Sequence, residues 1–180
     1  MLKKELYLLG LGTTADSQNS VLVLADERSE RAIPIWIAEA DAINISNALV
    51  GSPSSHPFPH EALSRIIESL DCELIYVEIR KVANGIFYTD IHVKKQNDDK
   101  DGTDIIIDAR PSDAVALAVW SGVAIYVDQG VFAAQSAILE VCGDGFNLVE
   151  DSIPDREEDQ EIRSFLANVK ASDFKLDRED

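Results

Sequence analysis

One predicted strand-to-helix junction carries the densest set of chemically useful side chains in the sequence. Its residues are Asp108, Arg110, Pro111, Ser112 and Asp113. Pro111 favours the first position of a helix, and α/β folds gather ligand groups at such junctions. In a functional interpretation, Asp108 and Asp113 hold a divalent ion while Arg110 contacts a phosphate.

The same junction also has a structural interpretation. Acidic residues are common in the first turn of a helix, where they interact with free backbone amides and with the helix dipole. Asp113 fits that position, and Arg110 would then pair with a carboxylate and fix the strand against the helix. The residue types alone leave both interpretations open and favour the structural one.

The histidines offer a second possible source of chemistry. They are His56, His60 and His92. His60 and Glu61 stand at the predicted start of a helix, where an imidazole beside a carboxylate could bind a metal or act as a base near neutral pH. The alternative for His56 and His60 is a surface or helix-capping role, and His92 falls on the polar face of a predicted strand.

Composition restricts the partners that the protein can have. Lys and Arg number 16 against 33 Asp and Glu, which gives a net charge of −17. A field of that sign repels nucleic acid, so phosphate neutralisation cannot be the main mode of binding. Work on nucleic acid would need metal ions or a local basic patch. The sequence has no P-loop, no dinucleotide-binding glycine motif and no nucleophile elbow.

Three further observations concern the cellular location. No apolar run approaches the roughly 20 residues that cross a bilayer. The short apolar stretch near the N-terminus is interrupted by Gly10 and Gly12, unlike a secretion signal. Cys72 and Cys142 lie far apart without a C-x-x-C pattern, which is typical of reduced cytosolic thiols. The sequence therefore predicts a cytoplasmic protein that does not enter a membrane.

The elements that position these residues are predicted to form an α/β (α+β) domain over residues 1–145. Strand-like runs at 6–11, 21–24 and 32–37 suggest a meander. Two longer runs on either side of Asn84-Gly85 predict a hairpin with a two-residue turn. Together with later apolar runs they predict a mixed, largely antiparallel sheet.

About three to four helices are predicted to pack on this sheet. One begins near Ala38 and ends at Gly51, a second begins at Pro59, and a third runs from Pro111 to Gly122. Residues 131–139 are predicted to be partly helical. Residues 146–180 form an acidic C-terminal extension with one short predicted helix.

Three blocks of sequence resemble those of the bifunctional nuclease domain family, which was long catalogued as a domain of unknown function. Residues 33–42, IPIWIAEADA, resemble its LPIWIGxxEA signature. Residues 59–63, PHEAL, are similar to its THDL helix start, and residues 110–118, RPSDAVALA, to its RPSDAIALA block. The blocks occur in the family's order within about residues 1–145, and the tail resembles the extensions of actinobacterial members.

The resemblance implies a nuclease that acts on both DNA and RNA, with a mixed sheet and a homo-oligomeric state of two or more copies. On this hypothesis the protein is a phosphodiesterase that depends on magnesium or manganese. The residues that would serve as catalytic groups are Asp41, His60, Glu61, Arg110 and Asp113. Those that would hold the metal are Asp41, Asp108 and Asp113. The alternative is a non-catalytic oligomeric module that binds a small ligand or a protein.

Overall fold

The computed structural model describes residues 2–13, 20–28, 30–51, 55–96, 104–142 and 145–148. The C-terminal extension lies outside this part of the chain except for residues 146–148, and so does its predicted helix. The boundary between the domain and the extension therefore stays a prediction.

Nine strands form one mixed sheet within the described residues. They are β1 (Lys3–Thr13), β2 (Ser20–Ala25), β3 (Arg31–Ile37), β4 (Cys72–Ala83), β5 (Ile86–Lys95), β6 (Asp104–Ala109), β7 (Ala124–Asp128), β8 (Ala137–Cys142) and β9 (Gly145–Leu148). Their order across the sheet is β6-β5-β4-β7-β1-β2-β3-β8-β9. The paired strands run antiparallel except β4 and β7, which are parallel. The predicted fold class is confirmed.

The first three helices begin where the sequence indicates, whereas the helix predicted within residues 131–139 begins two residues earlier and ends at Gln135, before β8. The helices are α1 (Glu39–Val50), α2 (Pro59–Ser69), α3 (Pro111–Ser121) and α4 (Gln129–Gln135). Pro59 and Pro111 are first residues of their helices, where a missing N–H costs nothing. Gly51 and Gly122 follow α1 and α3 at φ of 60° and 68°, the left-handed conformation that glycine adopts without strain.

The predicted hairpin is present and has the expected turn. Asn84 and Gly85 join β4 to β5 with φ of 51° and 73°, as a type I′ turn requires. One face of β5 carries Phe87, Thr89, Ile91 and Val93, all of which are buried. This face packs against α3 and belongs to the main core.

Apolar burial on both faces of the central strands holds the sheet together. Leu22 and Leu24 of β2 belong to the core that includes α3, whereas Val21 and Val23 belong to a second, smaller cluster. Successive strand residues point to opposite faces, so β2 is covered on both sides. α3 packs against both α1 and α2, which places the starts of the three helices near one another.

Three features differ from what local patterns indicate. Gly145 is the first residue of β9, although glycine is disfavoured in strands. α2 buries His60 and Ser64, while Leu63, Ile66 and Leu70 of its apolar stripe stay 45%, 51% and 64% exposed. Pro34 lies in the middle of β3, where only β2 pairs with it, so its missing N–H breaks no ladder hydrogen bond.

None of the helices in the described residues combines the length and the apolar content needed to cross a membrane.

Candidate functional site

The N-terminal turns of α1, α2 and α3 meet at one group of charged side chains. Asp41 is the third residue of α1, His60 the second of α2 and Asp113 the third of α3, and Arg110 immediately precedes α3. Positive ends of helix dipoles therefore converge here, and they favour the two carboxylates. We call Asp41, His60, Arg110 and Asp113 the Arg110 cluster.

Arg110 binds both aspartates at once. Its Nε and Nη2 donate to Asp113 Oδ2 and Oδ1 at 2.7 and 3.0 Å. Its Nη1 and Nη2 donate to Asp41 Oδ2 and Oδ1 at 3.2 Å each. Both carboxylates are thus bound in the paired geometry that suits a guanidinium. The arginine side chain still remains 63% exposed, against 13% for Asp41.

Each aspartate of the cluster also contacts a second side chain. Ser112 Oγ donates to Asp41 Oδ2 at 3.1 Å, a contact between residues 71 positions apart that no local pattern predicts. His60 Nε2 lies 3.5 Å from Asp113 Oδ1, and its side chain is only 8% exposed. A carboxylate beside an imidazole can orient the ring.

The other two sequence-predicted site residues lie outside the cluster. Glu61 accepts from the backbone N–H of Phe58 at 3.4 Å and pairs with Arg65 at 2.5 Å, so it stabilises the start of its own helix. Asp108 pairs with Arg80 at 3.2 Å. Arg80 also binds Asp90 at 2.7 Å, which forms a second aspartate–arginine–aspartate group on the sheet.

Electrostatic interactions within the cluster shift the pKa values of Arg110 and Asp113. Partial burial would raise the pKa of Asp113, but the hydrogen bonds from Arg110, with a smaller contribution from His60, lower it below its ordinary value. The hydrogen bonds and charge of Asp113, followed by the charge of Asp41, raise the pKa of Arg110. Both shifts favour the charged forms, so Arg110 and Asp113 form an ion pair at neutral pH.

The arrangement does not fit the divalent ion that the sequence suggested. Each carboxylate oxygen of Asp41 and Asp113 already accepts a hydrogen bond from the guanidinium, which fills the space between them. A metal ion placed there would meet a positive charge instead of open oxygen donors. Within the described ranges, no group of three or more His, Cys, Asp or Glu side chains is arranged to hold a metal ion.

A separate charged group around Lys3, which the sequence did not predict, lies on β1, β4 and β5. Lys3 Nζ donates to Tyr76 Oη at 3.0 Å and to Glu78 Oε2 at 2.5 Å. The rings of Tyr76 and His92 stack at 4.1 Å, and His92 Nε2 lies 3.4 Å from Glu78 Oε2. The alternating pattern of β5 places His92 on this polar face, but only the three-dimensional pairing brings Lys3 there.

The fold and the site together define an α+β protein in which three helices direct their N-termini to an arginine–aspartate–histidine cluster. A model of the family described as "Bifunctional nuclease domain" matches residues 22–140. The chain belongs to the bifunctional nuclease domain family. The matched range includes the whole Arg110 cluster.

Individual relatives agree with this assignment. Two proteins of Mycobacterium tuberculosis, named uncharacterized protein MT1877 and uncharacterized protein Rv1829, are each 30% identical to the chain, over 95% of its length and 98% of theirs. A rice protein (Oryza sativa subsp. japonica) named Bifunctional nuclease 2 is 24% identical over 82% of the chain and 48% of its own length.

Proposed function

We propose that the protein hydrolyses phosphodiester bonds of nucleic acid, DNA and RNA alike, at the Arg110 cluster. Membership of a nuclease-named family and likeness to a rice protein named Bifunctional nuclease 2 support the reaction class. The observation that carries the choice of site is the exposed guanidinium of Arg110, held beside an imidazole where three helices begin.

In this proposal the side chains divide the work of hydrolysis. Arg110 uses its exposed edge to bind a non-bridging phosphate oxygen and to stabilise the charge that develops at phosphorus. His60, oriented by Asp113, accepts the proton of the attacking water. The new bond forms between the water oxygen and phosphorus, the ester P–O bond breaks, and the leaving oxygen takes a proton from solvent. Asp41 holds Arg110 in position.

The test compares purified wild type with His60→Gln and Asp113→Asn on short fluorescent DNA and RNA strands. We expect each substitution to lower kcat by about 10²-fold or more, the contribution typical of a general base. Glu39→Gln is the matched control, because Glu39 is also an acid in the first turn of a helix but lies exposed outside the cluster. Equal cleavage by wild type and both cluster variants would contradict the proposal.

The response of KM to salt distinguishes this activity from that of a contaminating nuclease. The net charge of −17 repels a polyanion, and ions screen that repulsion. We expect KM to fall as NaCl rises from about 10 to 150 mM. A basic contaminating nuclease shows the opposite response, because salt weakens its attraction to phosphate.

A non-catalytic binding module is the second candidate. It is favoured by the hydrogen bonds within the cluster, since both aspartates use their oxygens to fix three helices rather than to face solvent. In that case wild type cleaves nothing, while Asp41→Asn still lowers the melting temperature. Cleavage that depends on His60 would rule this candidate out.

We also propose that the protein is cytoplasmic and that its copies self-associate through β6. The outer side of β6 pairs with no other strand among the described residues. Ile105, Ile106 and Ile107 are 38%, 59% and 45% exposed there, and the strand contains no proline or lysine to discourage pairing. An antiparallel edge can pair with its own copy around a two-fold axis.

A further inference from the structure

A buried serine hydroxyl and the guanidinium of Arg110 share one carboxylate oxygen. Asp41 Oδ2 accepts from Arg110 Nη1 at 3.2 Å and from Ser112 Oγ at 3.1 Å. Ser112 is only 4% exposed, whereas the Arg110 side chain is the most exposed of the three. The three residues therefore form a series of hydrogen bonds that begins in the protein interior and ends at solvent.

The solvent end of this series is a single N–H donor. A guanidinium carries five N–H groups. Asp113 accepts from Nε and from one N–H of Nη2, and Asp41 accepts from the other N–H of Nη2 and from one of Nη1. The two aspartates thus leave the second N–H of Nη1 for a ligand. Because Asp41 Oδ2 binds this same nitrogen, the position of that oxygen sets the direction of the remaining N–H.

Ser112 fixes the side of the guanidinium that is held less tightly. The bonds from Arg110 to Asp41 are 3.2 Å long, against 2.7 and 3.0 Å for those to Asp113, and longer hydrogen bonds are weaker. Ser112 lies in the first turn of α3, the helix that Arg110 immediately precedes. Its hydroxyl therefore ties Asp41 Oδ2, which comes from α1, to the same helix start that carries the arginine.

We propose that Ser112 is a positioning residue that determines specificity: through Asp41 it aims the remaining N–H of Arg110 at one of the two non-bridging oxygens of the phosphodiester. These two oxygens differ only in handedness. A single donor with a fixed direction distinguishes them, and a donor that turns freely does not. The inference rests on the proposed function for the cleavage step, but the positioning of Arg110 by Ser112 stands separately.

DNA strands with one phosphorothioate link test the proposal. Sulfur replaces one non-bridging oxygen at that link, and the two stereoisomers are prepared separately. Because sulfur is a weak acceptor, we expect wild type to cleave the isomer whose sulfur faces Arg110 about tenfold more slowly, a smaller loss than that from removing such a donor outright. Ser112→Ala should lower kcat on the unmodified strand and bring the ratio between isomers close to one. Ser112→Thr, which keeps the hydroxyl, should retain the ratio.

Ser121→Ala is the matched control. Ser121 is the last residue of α3, at the opposite end from the cluster, and its hydroxyl likewise donates to another helix, to Ser64 Oγ of α2 at 3.2 Å. The control should leave the ratio between isomers unchanged. A ratio that survives in Ser112→Ala would show that the serine only supports the fold. Equal cleavage of both isomers by wild type would also overturn the proposal.

The N–H signals of Arg110 give a measurement that needs no cleavage. In NMR spectra of protein with isotope-labelled arginine, assigned with Arg110→Lys, the two N–H groups of Nη1 should give separate signals in wild type, because Asp41 restrains their rotation. They should merge in Ser112→Ala and stay separate in Ser121→Ala. Signals that are the same in wild type and Ser112→Ala would refute the positioning role. Absence of cleavage under every condition would refute the nuclease proposal, and these spectra would still decide whether Ser112 positions Arg110.

Discussion

At the scale of single residues, the two aspartate–arginine–aspartate groups contain the same residue types in different surroundings. Arg110 binds aspartates from two helices beside a buried imidazole. Arg80 binds Asp90 and Asp108 on neighbouring strands, and the Asp108 side chain is 73% exposed. Exposed ion pairs contribute little to stability, so Asp108 adds little to the Arg80 group.

Asp26 gives the clearest prediction about acid stability. It is 7% exposed and accepts hydrogen bonds from Lys4 Nζ at 2.9 Å and from two backbone N–H groups. Burial alone would raise the pKa of Asp26, but these donors lower it. A lowered folded-state pKa contributes stability above the unfolded value of about 4, and that stability is lost as pH falls through the folded pKa.

Asp26→Asn should therefore lower the free energy of unfolding by about 1–3 kcal/mol at pH 7. The difference from wild type should shrink as the pH falls below about 4, because Asp26 of the unfolded wild type protonates first and Asp26 of the folded protein protonates at lower pH. Urea unfolding at pH 7 and at acid pH measures it, with exposed Glu27→Gln as the control. A difference that does not change with pH would show that the charge of Asp26 is not responsible.

At the scale of elements, local residues predicted where most helices and strands begin and end, but not which of them pair or pack together. Pro59 and Pro111 mark helix starts and Gly122 marks a helix end. These signals can be read from the sequence because the backbone preferences of proline and glycine act locally. Asn84-Gly85 defines the β4–β5 turn for the same reason. The position of β1 between β7 and β2 depends on pairing with residues more than 100 positions away, which a local pattern does not encode.

The same limit applied to the cluster and to α2. Arg110 immediately precedes α3 and Asp113 lies in its first turn, three residues on, a short spacing that allows them to pair. Asp41 is 69 residues away, so its contact required the packing of α1 on α3. The apolar stripe of α2 is typical of a helix, but it does not mark the side that is most buried. α2 buries His60 and Ser64, and Ser64 contacts Ser121 of α3.

Gly122 allows a test of an element boundary. Its φ of 68° is unfavourable for a residue with a Cβ, and no atom lies within 4 Å of the position that a Cβ would take. Gly122→Ala should cost about 1 kcal/mol from backbone strain alone, or about 2–4 °C in melting temperature. Gly122→Asn should lose less, because asparagine tolerates this conformation. Equal losses for both variants would contradict the strain explanation.

At the scale of the whole molecule, net charge and the open sheet edge act against each other. Two copies that each carry −17 repel. The outer edge of β6, which pairs with no other strand in the described part of the chain, and its three exposed isoleucines favour association. Salt screens the repulsion and leaves backbone pairing and apolar burial largely intact. The proposed self-association should therefore strengthen as ionic strength rises.

Light scattering on a size-exclusion column checks this at NaCl of about 50 and 500 mM, across which the Debye length falls severalfold. We expect the fraction of dimer or larger species to rise with salt in wild type and to vanish in Ile106→Lys, because an edge lysine opposes strand pairing. Ile43→Lys on α1 is the matched control, since Ile43 is 55% exposed against 59% for Ile106. A wild type that stays monomeric at both salt concentrations contradicts the proposed association, and loss of association in Ile43→Lys as well would place the contact away from β6.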